Sequence, residues 1–373
     1  MLSEFGAEVV KVEDPRNGDS LRRIGEQVEG EGLWWLQESR NKLAVTCNLR
    51  DPRGQALLRR LVADADVLVE NFRPGTMEAW GLGYEQLAAE NPGLIMVRIS
   101  AYGRTGPNAP KAGFGRVAQA FGGLTYLAGF PDRPPIIPGS ATLADYVAGL
   151  FAAYATLVAK EHRNRTGEGQ EIDVSLFESI FRLLDTVAIA HDALGLVRER
   201  TGFDVPHAAP HSHYPTADGK WVAIACTNDK MFRRLALAMA RPELSDDPRF
   251  GAVPDRVAHR QEIDAIVAEF TSRFSQAELT ELLDRHEVPA GPIYSIHEIF
   301  DDPHYRARET LISLEHERLG ALRVPNVVPR LSRSPGEVRH LGPPIGADNG
   351  LVYGERLGLD EHELAELRDA GVI

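Results

Sequence analysis

The stretch "PRGQALLRRLVADADVLVENFRPGTMEAWGLGYEQLAAENPGLIMVRISAYG", Pro52–Gly103, decides the fold class. Its opening, Pro52–Ala65, carries apolar residues at helical spacing and predicts an amphipathic helix. "DVLVENF" (Asp66–Phe72) is a short apolar run and predicts a buried strand, and "NPGLIMVRISAYG" (Asn91–Gly103) predicts another. Between them, "GTMEAWGLGYEQLAAE" predicts a helix. Upstream, "AEVVKVE" (Ala7–Glu13) predicts a further strand. Strand–helix–strand–helix–strand alternation is the pattern of a doubly wound parallel sheet, so the fold class is α/β.

Working outward, a Gly- and Pro-rich loop, "GRTGPNAPKAGFG", follows Tyr102, and a long apolar helix is expected from about Asp145 to Lys160. A second region begins near Arg200. "YPTADGKWVAIACTN" predicts a hairpin around Asp218-Gly219, followed by the helix "DKMFRRLALAM". Helices are expected around Arg256–Phe274 and Gln276–His286. "EVPAGPIYSIHEIF" predicts a turn and then the start of a strand or helix. The tail after about Glu315 is Pro- and Gly-rich and closes with a short helix, "DEHELAELRDAG". At the other end, "LSEFG" looks like the end of a helix. The strand and helix start that would complete the first βα unit, about two dozen residues, are expected upstream of it.

The composition narrows the function. A chain of 373 residues suggests two domains. Its net charge of −13 argues against a nucleic-acid-binding surface. The two cysteines, Cys47 and Cys226, stand in no ligand spacing, so neither a disulfide framework nor a structural zinc is expected. No apolar run reads as membrane-spanning and the N-terminus does not read as a signal peptide, so a cytoplasmic protein is expected. No Walker A sequence, no GxSxG elbow and no dinucleotide fingerprint in its strand–helix context is present.

"GSATLADYVAGLFAA" (Gly139–Ala153) holds one charged residue, Asp145. Two readings stand side by side. Asp is a favoured N-cap, and a helix beginning at Tyr146 would use it so. A carboxylate there would keep a low pKa and stay ionised, ready to act as a nucleophile. Arg40, Lys42, Arg50, Arg73 and Arg104 sit near element ends. They read as solvated loop charges or as phosphate contacts at the carboxyl ends of strands. His207, His211 and His213 in "PHAAPHSHYP" lie on a Pro-rich segment without a carboxylate, which favours loop or substrate contacts over a metal site.

Taken together, the collinear stretches "FGAEVVKVEDPRNGDSLR", "SRNKLAVTCNLRDPRGQ", "ADVLVENFRPGTMEAWGLGYEQL", "GFPDRPPIIPG", "TLADYVAGLFAA", "RTGEGQEIDVSLFES" and "EVPAGPIYSIHEIFDDPHYRAR" resemble the class III CoA-transferases (the CaiB/BaiF type, typified by formyl-CoA transferase). The resemblance implies a Rossmann-like large CoA-binding domain over residues 1–190. It also implies a smaller α/β domain over 205–312 and a return to the large domain over 313–373. It further implies an interlocked homodimer, and no cofactor beyond coenzyme A as substrate. Asp145 falls at the family's nucleophilic aspartate, which passes through an acyl anhydride and an aspartyl-CoA thioester. Arg50, Asn71, Phe72, Arg73, Arg104 and Lys111 fall at or near CoA contacts. Ala79 replaces an arginine that many members have before "GLG", and the family's glycine-rich lid is missing. The family also contains 2-methylacyl-CoA racemases, but Phe114 stands where their histidine would be and cannot exchange a proton. A non-catalytic CoA-binding paralogue is a third reading, which Asp145 argues against. "GFPDRPPIIPG" and "LWWLQESRNK" are similar to members that use succinyl-CoA. His211, His213 and Arg116 are then candidates for an acid's distal carboxylate.

Overall fold

The computed structural model describes residues 1–140 and 142–373. The chain divides into two units. The larger comprises Met1–Gly122, Ala141–Leu183 and Phe300–Ile373, the smaller Gly123–Ser140 and Leu184–Ile299.

In the large unit, β1 (Val9–Glu13) pairs in parallel with β2 (Lys42–Thr46), Val9 opposite Lys42. The helix α1 (Leu33–Glu38) precedes β2, and α2 (Pro52–Ala63) follows it. Asp51 caps α2 by accepting from the Arg53 N–H, and Pro52 occupies the first turn, where its missing N–H costs nothing. A second parallel sheet runs β3 (Val67–Glu70), β4 (Ile95–Ser100), β5 (Glu171–Ser175), with β4 central. The five parallel strands thus form two sheets rather than one. β4 is buried along Ile95–Val97 because α2 packs its apolar stripe, Leu58 and Val62, into a core with Met77, Leu82, Leu87 and Met96. β3 is less buried than its apolar run predicts, and Val69 is exposed.

The predicted helix over Gly75–Glu90 is two helices, Thr76–Ala79 and Tyr84–Glu90. Gly81 takes a left-handed φ of 67° between them, which glycine adopts without steric cost and which stops a helix. The tail is more ordered than its Pro and Gly content implies. Leu311–His316 and Gly320–Pro325 form an antiparallel hairpin. Farther on, Asp348 and Asn349 accept from the Ala44 and Thr46 N–H groups at 2.7 and 2.9 Å, so polar side chains cover the free edge of β2. Val352, Tyr353, Val372 and Ile373 then pack onto Val45 and Leu57.

Beyond β4 come α3 (Gly115–Phe121), α4 (Leu143–Thr166) and, after β5, α5 (Leu176–Phe181), mutually packed. By length and composition α4 could cross a membrane, which corrects the expectation that no segment could. Its uncharged run, between Asp145 and Lys160, covers only residues 146–159, which is short of a span read from the sequence alone. In the fold it packs against β4, β5, α3 and α5 through Ala144, Val147, Ala148 and Ala152.

The small unit is an antiparallel sheet in the order β6 (His211–Pro215), β7 (Trp221–Ala225), β8 (Ala290–Pro292). Ser212, Tyr214, Val222 and Ile224 alternate inward. Tyr214, Val222 and Ile224 meet Phe232, Ile263, Val267, Leu279 and Leu283 from helices α6 (Asp229–Ala238), α7 (Arg260–Thr271) and α8 (Gln276–Arg285). The expected single helix Arg256–Phe274 breaks at His259, so Val253–Ala258 is separate.

Candidate active site

Asp145 is the third residue of α4, not its cap. The helix begins at Leu143, with Thr142 at the N-cap, and the Asp145 N–H donates to the Thr142 carbonyl at 3.0 Å. The N-cap reading is therefore corrected. So is the expected low pKa. Asp145 reaches solvent, but the protein around it removes enough water to push its carboxyl above the ordinary aspartate value; only its own backbone hydrogen bond opposes this. A more basic carboxylate that remains ionised near neutrality is a better nucleophile.

Its chain neighbour Tyr146 joins a cluster of which the sequence reading singled out Lys42 but not Glu38 or Tyr146. The Tyr146 hydroxyl donates to Glu38 Oε1 at 2.9 Å, and its pKa is raised by burial first and by that contact second. The charge of Asp145 and the side chain of Trp34 also act on Tyr146. Lys42 donates to the Glu38 carbonyl at 2.8 Å, and burial lowers its pKa. The signal for this cluster was a carboxylate ending the Trp-bearing helix of "LWWLQE", but nothing local shows that this helix end comes to Tyr146.

The candidate CoA contacts follow the carboxyl ends of parallel strands. Arg50, after β2, reaches Asp14, after β1, at 3.3 Å; the bond from Arg16 mainly holds the Asp14 carboxyl down to about 2. Asn71, Phe72 and Arg73 follow β3 and are exposed. Glu70, buried at the end of β3, accepts from the Phe72 N–H at 2.6 Å and fixes the turn. Phe72 stands edge-on to Trp80 with centroids 5.2 Å apart. Arg73 has no ion-pair partner among the described residues. Arg104, after β4, is differently placed: its N–H donates to Asp173, and its guanidinium contacts Glu78 at 2.8 Å and Glu171 at 3.3 Å. Lys111 and Arg116 are exposed on the loop before α3 and on α3 itself. Arg40, by contrast, is structural, bonding Glu4 and the Pro325 carbonyl at 2.6 Å.

His211 and His213 belong to the small unit, on the outward face of β6. Among the described residues no group of three His, Cys, Asp or Glu side chains could hold a metal ion.

The family model for CoA-transferase family III matches residues 1–349. The chain belongs to CoA-transferase family III. It is 48% identical over 375 residues to the succinyl-CoA–L-malate CoA-transferase alpha subunit of Chloroflexus aurantiacus, covering all of this chain and 88% of that one. It is 45% identical over 374 residues to the succinyl-CoA–D-citramalate CoA-transferase of the same organism, covering all of this chain and 93% of the relative. The crystal structure of a CaiB/BaiF family protein from Brucella suis matches with a TM-score of 0.83 at 35% identity, over 95% of this chain and 93% of that one. This family III member is a CoA-transferase, an enzyme whose substrates are CoA thioesters.

Proposed function

We propose that this enzyme moves CoA from succinyl-CoA to a short hydroxy-dicarboxylic acid, with Asp145 as the nucleophile. The observation that carries the proposal is a solvent-reaching carboxylate with a raised pKa in the first turn of α4. The relatives' names supply the donor and the class of acceptor.

The Asp145 carboxylate oxygen attacks the thioester carbonyl carbon. The C–S bond breaks, and CoA leaves as a thiolate from a succinyl–aspartyl anhydride. The thiolate attacks the Asp145 carbonyl carbon and expels succinate, which leaves an aspartyl-CoA thioester. The acceptor carboxylate attacks that thioester and releases the thiolate again, forming a second anhydride. The thiolate then attacks the acceptor's carbonyl carbon, which yields the product thioester and restores the carboxylate. No atom changes oxidation state. Arg50 and Arg73 hold CoA phosphates, Phe72 and Asn71 line its path, and Lys111 adds charge beside the loop after β4. The working enzyme is a homodimer.

Phe114, at the start of α3 and 80% exposed, offers no proton-exchanging group, which disfavours racemisation. The test is incubation with succinyl-CoA alone. An adduct on the Asp145 peptide, converted by hydroxylamine to a hydroxamate, supports the mechanism; an adduct mapped elsewhere overturns it. A panel of acids with succinyl-CoA, read by mass spectrometry of the thioesters, identifies the acceptor.

A further inference from the structure

The tail hairpin Leu311–Pro325 ends in a tip that a histidine side chain holds shut. His316 stands opposite Gly320 at the last rung of the ladder, and Glu317, Arg318 and Leu319 form the loop between them. Gly320 takes a left-handed φ of 69°, which glycine adopts without steric cost. Two backbone N–H groups of this loop, those of Arg318 and Leu319, donate to His316 Nδ1 at 3.3 and 3.2 Å. The closed tip serves two neighbours in the same unit. Its Arg318 guanidinium bonds Glu31 Oε1 at 2.8 Å and also the Glu29 carbonyl, both on the small hairpin formed by Gln27–Val28 and Glu31–Gly32. The tip also walls a cavity of about 430 Å³, to which Leu43 of β2 and the segment Leu341–Pro344 supply apolar lining.

We propose that His316 is a proton-operated latch: its neutral ring closes the hairpin tip over this cavity, and its protonation opens the tip. An imidazole nitrogen that accepts two N–H bonds carries no proton, so the closed tip requires the neutral ring with its proton on Nε2. Protonation places an N–H on Nδ1. The acceptor is then gone, and three N–H groups point at one another. The ring must turn away or the tip must move, and either breaks both bonds. The surroundings favour the charged ring. The charged and titratable groups that line the cavity with His316 are Glu315, Glu317 and Arg318 on its own hairpin, Glu31 on the facing one, Lys42 on β2, and His340 and Asp348 farther along the tail. Four carboxylates thus stand against two cations, and a nearby carboxylate favours the imidazolium. His340 is committed differently. Its Nδ1 lies 2.8 Å from the Leu341 carbonyl, which bonds only a protonated nitrogen, so this contact holds in either charge state. The body of the hairpin does not share in the opening. Ile312, Leu314, Leu322 and Val324 pack with Trp35 and Ala44, and no proton enters that contact. The movement is confined to the tip, and it takes with it Arg318 and its hold on Glu31.

The test is hydrogen exchange of the Arg318 and Leu319 amides in the full-length protein at about pH 8 and about pH 5, either side of the range in which an imidazole titrates. Rates are corrected for the intrinsic effect of pH and read by mass spectrometry with electron-transfer fragmentation. Protection should fall from the higher to the lower pH by roughly fivefold or more, the equivalent of one net hydrogen bond. In His316→Asn the side-chain oxygen accepts from the same N–H groups and does not titrate, so protection should stay within about twofold between the two conditions. In His316→Ala protection should be low in both. His340→Asn should leave the wild-type response unchanged. Wild-type protection that does not depend on pH overturns the proposal, as does a fall in His316→Asn equal to that of the wild type. So does loss of the response in His340→Asn. Protection retained in His316→Ala would mean that the imidazole does not hold the tip, and overturns it as well.

Discussion

As the proposed nucleophile, Asp145 sets two requirements against each other: it would have to be ionised to attack, yet the protein around it disfavours its charge. In that role the active form is the carboxylate, and burial raises its pKa above the ordinary aspartate value. We therefore expect kcat/KM to rise with pH through an acid limb whose midpoint lies above that value, measured with succinyl-CoA at saturating acid. Asp145→Asn should lower turnover by roughly 10³-fold or more, as removal of a nucleophile does. Its stability should move the other way. A carboxyl whose pKa is raised on folding weakens the fold wherever it is charged, above the unfolded pKa. The variant should thus have a higher Tm than wild type at pH 7, and the difference should vanish below about pH 4, the unfolded aspartate value. A lower Tm at pH 7 would count against a desolvated Asp145. Arg73→Ala should raise KM for succinyl-CoA about five- to tenfold with little change in kcat, because an exposed guanidinium–phosphate contact contributes about 1 kcal/mol. That difference should shrink in high salt. The sequence exposed Asp145 as the one carboxylate in a small apolar stretch. Its environment was not legible, since its desolvation arises from packing between segments far apart in the chain.

At the scale of elements, the sheet β3–β4–β5 is pinned by charge as well as by ladders. Arg98, 2% exposed on the central strand, bonds Glu70 on β3 at 2.6 Å, Glu171 on β5 at 2.9 Å and Glu78 at 2.6 Å. Burial works against the Arg98 charge, yet these bonds hold its pKa above the usual value. The bond from Arg98 drives the Glu78 carboxyl down to about 2. Removing the arginine strands Glu70 in the interior, and breaking one partner of a buried pair typically costs about 3–5 kcal/mol. Arg98→Ala should lower the urea midpoint of the large unit accordingly, and Arg98→Lys should recover only part. Because the Glu78 pKa is depressed, its share of stability is present above the unfolded glutamate pKa and is lost as pH falls toward 2. β3 and β4 were legible as apolar runs bounded by turn residues, whereas β5, which mixes charged and apolar residues, was not read as a strand and Arg98 was not recognisable as a buried hub. The hairpin Leu311–Pro325 escaped notice because its strands are mostly half-exposed and mix charge with apolar residues, which leaves a weak period. The break in Gly75–Glu90 was signalled by Gly81 and Gly83 and was outweighed by the apolar spacing around them.

At the scale of the whole molecule, the large unit leaves unusual apolar surface in water. Along α4, Leu150, Tyr154, Leu157 and Val158 are each more than half exposed, and Phe121 on α3 and Phe181 on α5 are about half exposed. These three helices pack on one another, so their outward apolar side chains belong to one helical layer rather than to scattered positions. An exposed apolar layer of this extent marks an interaction surface. The homodimer proposed above supplies that partner, and a symmetric contact through one patch is the commonest way to cover it. The prediction is a mass of two chains by light scattering at micromolar concentration. Tyr154→Glu combined with Leu157→Glu should yield a monomer, because two carboxylates placed in an apolar contact must be desolvated without partners. Neither residue contributes to the core, since both face outward, so circular dichroism of the variant should match that of the wild type. A wild-type protein that scatters as a folded monomer, or a double variant that remains dimeric, would mean that α4 is not the contact.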